Sequence, residues 1–446
     1  TEVFMSFDNL KKREDRLAQD PFIRVASYSL FTKSIKHSSK NPFSKFKTSC
    51  SHPVTPVVDM LDQKKTGTCW LQSSLTLLSI HARKLNITFK PSITYLMFYD
   101  KLEKAAVFLR RFANEADMED RVRYHLMYEP VYDGGTWAMF QHLIHKYGIV
   151  PESSFPETFQ SKNTSQMNSV LNTYLRSVVK NVTLENMSYH LEKVHDILFS
   201  CLSKPPIHIE LSNDDMNLNT TTKNEKNVVE FRGSPHEFLK MMRFPINVFV
   251  SILNDPSKEY SNSRNRVAYV SFNTNNYMNM SQQIYNNIPM QDLKYVAKTL
   301  LLKNYPIFFT ANIGGGADFQ RKLMSVDAID YKQLFRFDLN LSKSENIQYN
   351  ICKPSHAMLL VGIDVDRNGR ILGWKVQNSW GKKTAILYME DDWFEENVFE
   401  VVVPKTLYEE LGYQYYDDPA TFVQLMPWDP ISSVAFSAFS ASCSSN

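Results

Sequence analysis

The chain has 446 residues, 43% of them hydrophobic and 13% aromatic, with a formal net charge of +3. That is enough apolar material for a substantial core in two or three domains, or in one domain with a large insertion. So small a charge does not by itself argue for a nucleic-acid or membrane surface, and no apolar run approaches the roughly 18 residues that a bilayer span needs.

Residues 1–60 read as an arm: a short charged helix around Asn9 to Ala18, then Ser-, Lys- and Pro-rich extended chain. Between Asp20 and Asp59 there is no acid, while Arg24, Lys33, Lys36, Lys40, Lys45 and Lys47 all occur. A solvated basic arm is the plain reading, and a weak nucleic-acid contact the sharper one. Pro53 and Pro56 keep the next stretch non-helical. Trp70, Leu71, Leu75, Leu77, Leu78 and Ala82 are then spaced for a buried helix of about four turns. Thr66-Gly67-Thr68 offers capping hydroxyls and a turn before it, so Cys69 falls at or near the helix start.

A second helix is expected over 93–112. Asp133-Gly134-Gly135 is a tight turn, followed by a helix from Trp137 to Lys146 that Gly148 and Pro151 stop. Residues 160–200 read as helical and 210–235 as a polar loop or hairpin. Val248 to Leu253, Val267 to Phe272 and Ile307 to Ala311 read as strands, with a helix over Met290 to Lys303. Ala357 to Ile363 is a continuous apolar run, fit for a buried strand. Asp366-Arg367-Asn368-Gly369 is a strong turn signal, and Ile371 to Val376 returns as the partner strand. Ile431 to Asn446 carries no charge and seven serines.

The five cysteines Cys50, Cys69, Cys201, Cys352 and Cys443 are few, odd in number and widely spaced. That is no disulfide framework, and with no signal-peptide core in Thr1 to Lys12 a cytoplasmic location is expected. Cys352 and His356 lack the second pair that a metal site needs, and Gly314-Gly315-Gly316 lacks the ending of a phosphate loop. Neither a metal nor a cofactor is expected.

A cysteine attacks as the thiolate, which a helix N-terminus and a nearby imidazole both favour. The imidazole needs a third group to hold its ring, and the tetrahedral intermediate needs donors for its oxyanion. About a two-residue Asn368-Gly369 loop, His356 and Asn378 fall within about three residues of facing each other, roughly 10 Å apart, a gap that a bulge would narrow. Singly, Cys-Trp fits a core, His356 a structural role and Asn378 a turn. Nothing in the spacing alone brings Cys69 to the hairpin.

The motifs supply that step by resemblance. Gln63-Lys-Lys-Thr-Gly-Thr-Cys69-Trp70, Ser355-His356-Ala357-Met358 and Gln377-Asn378-Ser379-Trp380-Gly381 resemble the papain-type cysteine, histidine and asparagine motifs. Asp133-Gly-Gly-Thr-Trp137, Lys146-Tyr-Gly-Ile-Val-Pro151, Asp392-Trp393-Phe394 and Trp428-Asp429-Pro430 extend the likeness, in order, to the bleomycin hydrolase or aminopeptidase C family. The resemblance implies an α+β papain-like core with a large, mostly helical insertion. It implies catalysis by Cys69 and His356, with Asn378 orienting the imidazole, Trp380 shielding that bond, Gln63 in the oxyanion hole and Trp70 supporting.

It also implies an intracellular thiol aminopeptidase acting on peptides, with bleomycin and homocysteine thiolactone as further substrates, assembled as a homohexamer. The division expected is an arm at 1–60, core halves at 61–100 and 341–430, an insertion at 101–340, and a tail at 431–446 near the cleft. The tail departs from the family pattern by running on past Ala435, so an endopeptidase or a tail-inhibited peptidase on the same triad is the alternative. A nucleic-acid-binding role of the basic arm is a third reading.

Overall fold

Alternation along one strand organises the core. In the computed structural model, the chain is described at residues 7–19, 49–114, 118–212, 229–258, 268–271, 277–281, 283–314, 316–319, 321–328, 331–332 and 336–432. The apolar run lies in strand His356–Val365. Ala357, Leu359 and Val361 join one hydrophobic cluster, which contains Leu71, Leu75 and Leu78 of helix Cys69–Lys84. Met358, Leu360 and Ile363 join another, with Leu293, Val296 and Leu300 of helix Met290–Leu302. Successive side chains point to opposite faces of a strand, so a strand covered on both faces must be apolar throughout.

His356–Val365 sits inside a mixed sheet of twelve strands among the described residues. On one side it pairs antiparallel with Ile307–Ala311, which pairs with Val398–Pro404, and then come Phe249–Leu253, Ile284–Asn287, Ala268–Ser271 and Val423–Leu425. On the other side lie Ile371–Gln377, Ile386–Glu390, Leu323–Met324 and Ala317–Asp318, while the short strand His52–Pro53 also pairs with His356–Val365. Helices Ile93–Asn114 and Trp137–Tyr147 pack on helix Cys69–Lys84, and Ser165–Val178 and Met187–Leu202 pack in turn on Ile93–Asn114, all within the first cluster.

Several expectations change in detail. The helical stretch expected over 160–200 is three helices, Phe159–Lys162, Ser165–Val178 and Met187–Leu202. The polar stretch expected as a loop or hairpin is framed by the antiparallel strands Ile209–Ser212 and Val229–Gly233. The basic residues Arg24 to Lys47 and the tail beyond Ser432 lie outside the described residues.

The hairpin turn is also longer than expected. Asp366 N–H donates to Arg370 O at 2.9 Å, leaving Arg367, Asn368 and Gly369 as the loop. Gly369 takes φ +77°, which a glycine adopts without steric cost. The Asp366 carboxylate accepts from the backbone N–H groups of Asn368 and Arg370 at 2.8 and 2.9 Å. Two register shifts follow, and the second, between Leu360 and Gly362, sets Leu359 opposite Gln377. A two-residue loop with no bulge would have placed Leu360 there, so the bulge moves His356 one residue closer to Asn378.

Glu400 is an unusual occupant of this sheet. It is fully buried, accepting from Ser251 Oγ at 2.6 Å and Thr310 Oγ1 at 3.3 Å, with no ion-pair partner among the described residues. Burial raises its pKa from 4.5 to about 7, against the lowering pull of those two hydroxyls. The folded state therefore holds a proton that the unfolded chain releases, and stability is lost as pH rises from about 4.5 through about 7. The loss is on the order of 3 kcal/mol. Glu400→Gln should raise the melting temperature at pH 9 and leave it nearly unchanged at pH 5. Parallel melting curves for the two proteins across that range would contradict the assignment.

Candidate active site

Cys69 is the first residue of its helix, and its side chain is buried. The capping expected from the threonines does not occur. Thr68 is the N-cap residue but makes no side-chain cap bond. Its hydroxyl lies 2.6 Å from Thr66 Oγ1, which donates to Gln63 O at 2.6 Å. The hydroxyls tie the turn to itself and leave the helix start open toward the site. Orphan N–H groups at a helix start are donors available to an anion.

The histidine strand meets this helix start directly. Ala357 N–H donates to Cys69 Sγ at 3.4 Å, and Ser73 Oγ donates to Ala357 O at 3.0 Å. The residue beside His356 is thus bonded to the thiol, and its carbonyl is gripped one helical turn further on.

His356 Nε2 lies 2.8 Å from Asn378 Oδ1. Ser379 N–H donates to the same Oδ1 at 2.9 Å. An oxygen that takes a backbone donor is an acceptor toward the ring too, so the neutral imidazole carries its proton on Nε2 and keeps Nδ1 as the free base. Asn378 Nδ2 is buried with no partner among the described residues. The Trp380 ring lies 4.7 Å from the His356 ring and is backed by Phe319 at 4.8 Å. The His356 and Trp380 rings meet at an interplanar angle of 38°.

Gln63 is fixed at both ends of its amide. Oε1 accepts from Ser379 Oγ at 2.6 Å, and Nε2 donates to Thr66 O at 2.7 Å, which leaves one N–H unassigned. Gln63 N–H also donates to Ser379 O at 2.9 Å, joining the two motifs through the backbone. The next residue, Lys64, has φ +54°, an uncommon conformation for a residue with a side chain. Its N–H and Nζ are both held by the Asp62 carboxylate, at 2.9 and 2.8 Å. Trp70 is buried, and its Nε1 donates to Asp133 O at 2.8 Å.

The four candidate residues Cys69, His356, Asn378 and Gln63 therefore meet, with Trp380 and Trp70 beside them. Ser379 and Ala357 carried no role in the sequence reading, yet one hydroxyl and one backbone N–H join three motifs. The hydroxyl of Asn-Ser-Trp-Gly was the available signal. The backbone contact had none.

Electrostatics oppose a resting ion pair. Burial pushes the Cys69 thiol up to about 11, outweighing the backbone N–H groups of Ala357, Trp70 and Cys69 that favour the thiolate. Burial likewise pushes His356 down to about 4, outweighing the Asn378 bond. Burial thus works against the thiolate that the helix start favours. No group of three or more metal-ligating side chains occurs among the described residues.

Comparisons with known proteins bear on the family and the fold. The model of the Peptidase C1-like family matches residues 4–432. Aminopeptidase C of Listeria monocytogenes is 30% identical, over 97% of this chain and 99% of its own length. Aminopeptidase C of Lactobacillus delbrueckii subsp. lactis is 28% identical over the same shares. Human bleomycin hydrolase is 28% identical over 84% of this chain and 86% of its own. The crystal structure of PepW from Lactobacillus rhamnosis HN001 matches in fold with a TM-score of 0.81 at 24% identity, covering 97% of this chain and 99% of that one.

A base held neutral by burial sets an expectation for pH. His356 accepts a proton only while neutral, which it is above about pH 4. The acid limb of kcat/KM should lie near pH 4. A limb near the ordinary imidazole value of about 6.5 would contradict the burial argument.

Proposed function

We propose, for a chain that belongs to the Peptidase C1-like family with aminopeptidase C and bleomycin hydrolase as homologues, the function of a cysteine aminopeptidase acting on peptide amides. The observation that carries the reading is the convergence of three motifs: Ala357, the residue after His356, donates its N–H to Cys69 Sγ at 3.4 Å, and His356 Nε2 lies 2.8 Å from Asn378 Oδ1. Helix Cys69–Lys84 lies against strand His356–Val365. This packing supports treating 61–100 and 341–430 as parts of one core, to whose sheet strands Ile307–Ala311 and Phe249–Leu253 of the expected 101–340 insertion also belong.

In the proposed reaction Cys69 Sγ attacks the scissile carbonyl carbon as its proton passes to His356 Nδ1. The carbonyl oxygen becomes an oxyanion, held by Gln63 Nε2–H and the Cys69 backbone N–H. Collapse breaks the C–N bond, and His356 gives its proton to the leaving amine. Water, deprotonated by His356, then attacks the thioester and releases the acid and the thiol. Asn378 holds the ring throughout and Trp380 keeps the bond between them dry. We also propose, as substrates of the same route, bleomycin, which the human relative's name specifies, and homocysteine thiolactone.

A second reading, restraint by the tail, has one supporting observation. The chain leading to it is anchored: Arg121 lies 3.9 Å over the Trp428 ring and Lys258 bonds Asp429 at 2.8 Å. Ile431 is buried in a cluster with Cys352, four residues before His356. The last described residues are therefore fixed beside the segment that leads into His356.

One set of assays separates these readings. Peptides with free and with blocked N-termini are offered to the full chain, to Cys69→Ala and to a chain ended at Ala435. We expect hydrolysis of free peptides only, and none by Cys69→Ala. Near-full hydrolysis by Cys69→Ala would overturn the mechanism, and cleavage of blocked peptides would favour endopeptidase action. A rise in rate after truncation would favour a restraining tail.

We also propose a homohexamer located in the cytoplasm. Light scattering on the purified protein should give about six times the chain mass at micromolar concentration, and a monomeric mass under those conditions would refute the assembly. A nucleic-acid role for residues 24–47 has no support among the described residues. Those residues show no helix long and apolar enough to cross a membrane.

A further inference from the structure

The run from Gln63 to Cys69 is also held from below. Asp133 lies beneath it, with a side chain 13% exposed. Its Oδ2 accepts from Gly67 N–H at 2.9 Å and Thr164 Oγ1 at 2.5 Å. Its Oδ1 accepts from Lys101 Nζ at 2.6 Å and Asn168 Nδ2 at 2.8 Å. Its backbone carbonyl accepts from Trp70 Nε1 at 2.8 Å. The contacts to Gly67 and Trp70 fall on either side of Cys69, so one residue grips the chain before and after the thiol.

The rest of the turn is shaped to the same end. A Cβ on Gly135 would stand 2.4 Å from the Trp70 indole, so only glycine lets that ring seat. Lys104 Nζ donates to Gly134 O at 2.6 Å and to Tyr132 O at 2.8 Å, and Lys101 Nζ donates to Tyr132 O at 2.7 Å. Two buried lysines of helix Ile93–Asn114 thus fix the backbone that carries Asp133. A carboxylate is the side chain that can accept all four donors at once. An asparagine would turn a donor toward at least one of them.

We propose that Asp133 is a positioning residue for hydrolysis: by clamping Gly67 and Trp70 it sets the Gln63 side-chain amide and the Cys69 backbone N–H at the separation an oxyanion requires. The proposal rests on the cysteine-peptidase reading above. Asp133 touches neither substrate nor the reacting atoms in that reading. Its effect passes through the turn, in the way that small displacements of preorganised donors lower rates. Lys101 holds the carboxylate well below the usual range despite burial, so the clamp stays charged across the working pH.

The test is Asp133→Asn, with Lys101→Met/Asp133→Asn as a second variant that leaves no unpaired lysine if the single one fails to fold. Two quantities are measured: steady-state peptide hydrolysis, and hydrogen exchange of the peptide spanning 63–70. The expected result is a fall in kcat of about tenfold or more with KM within about threefold, and faster exchange in that peptide. Equal losses in kcat and 1/KM, or wild-type kcat with wild-type exchange, would overturn the proposal. The exchange measurement needs no turnover, and Cys69→Ala on the same substrate reports separately on the peptidase reading. Failure of one is therefore distinguishable from failure of the other.

Discussion

Helix Cys69–Lys84 lies on strand His356–Val365, and two hydrogen bonds to a single residue fasten the seam: Ala357 N–H to the Cys69 thiol and Ser73 Oγ to the Ala357 carbonyl. Every other part of the site is placed relative to this contact. The hairpin beyond the strand returns Asn378 to His356, and Ser379 reaches from there to Gln63 on the cysteine side. The site is a closed loop of contacts: Cys69 to Ala357, His356 to Asn378, Ser379 to Gln63, and Gln63 along the chain back to Cys69. Groups held in such a ring keep their geometry without waiting for a substrate to arrange them.

The surroundings work by exclusion as much as by contact. Burial raises the thiol and lowers the imidazole, so both are pushed away from their charged forms. Trp380 and Phe319 cover the imidazole on the open side. Beneath the turn the chemistry is reversed. Lys101, Lys104, Asp100 and Asp133 are charged groups withdrawn from water and joined by bonds of 2.6 to 2.8 Å. Breaking a buried pair costs about 3–5 kcal/mol, which makes this floor stiff. A buried thiol and imidazole thus stand above a layer of buried ion pairs.

Much of this was legible in the sequence where local patterns decide. The apolar run at 357–363 fits a buried strand and is one, covered on both faces, and the leucine spacing after Cys69 fits the buried helix observed there. The hairpin was readable from its turn residues, though not its loop length, because Asp366 draws an extra residue into the turn and the strand corrects the register by bulges. The threonines before Cys69 look like caps and are not, because each hydroxyl has a nearer partner within the turn. The links between distant segments had no local signal. Periodicity does not reveal that Ser379 serves Gln63 or that Asp133 serves Gly67, since those bonds depend on backbone brought together by tertiary packing.

Cys69 stands in the first fifth of the chain and its base in the last quarter. A polypeptide leaving the ribosome N-terminus first exposes its nucleophile long before His356 and Asn378 have been made. Until strand His356–Val365 enters the sheet, the thiol has neither the imidazole nor the Ala357 N–H that completes its surroundings. Contacts of such long range close late in folding. The order of segments along the gene therefore acts as a safety interval, in which a nascent peptidase carries its reactive sulfur but not the means to use it on its neighbours.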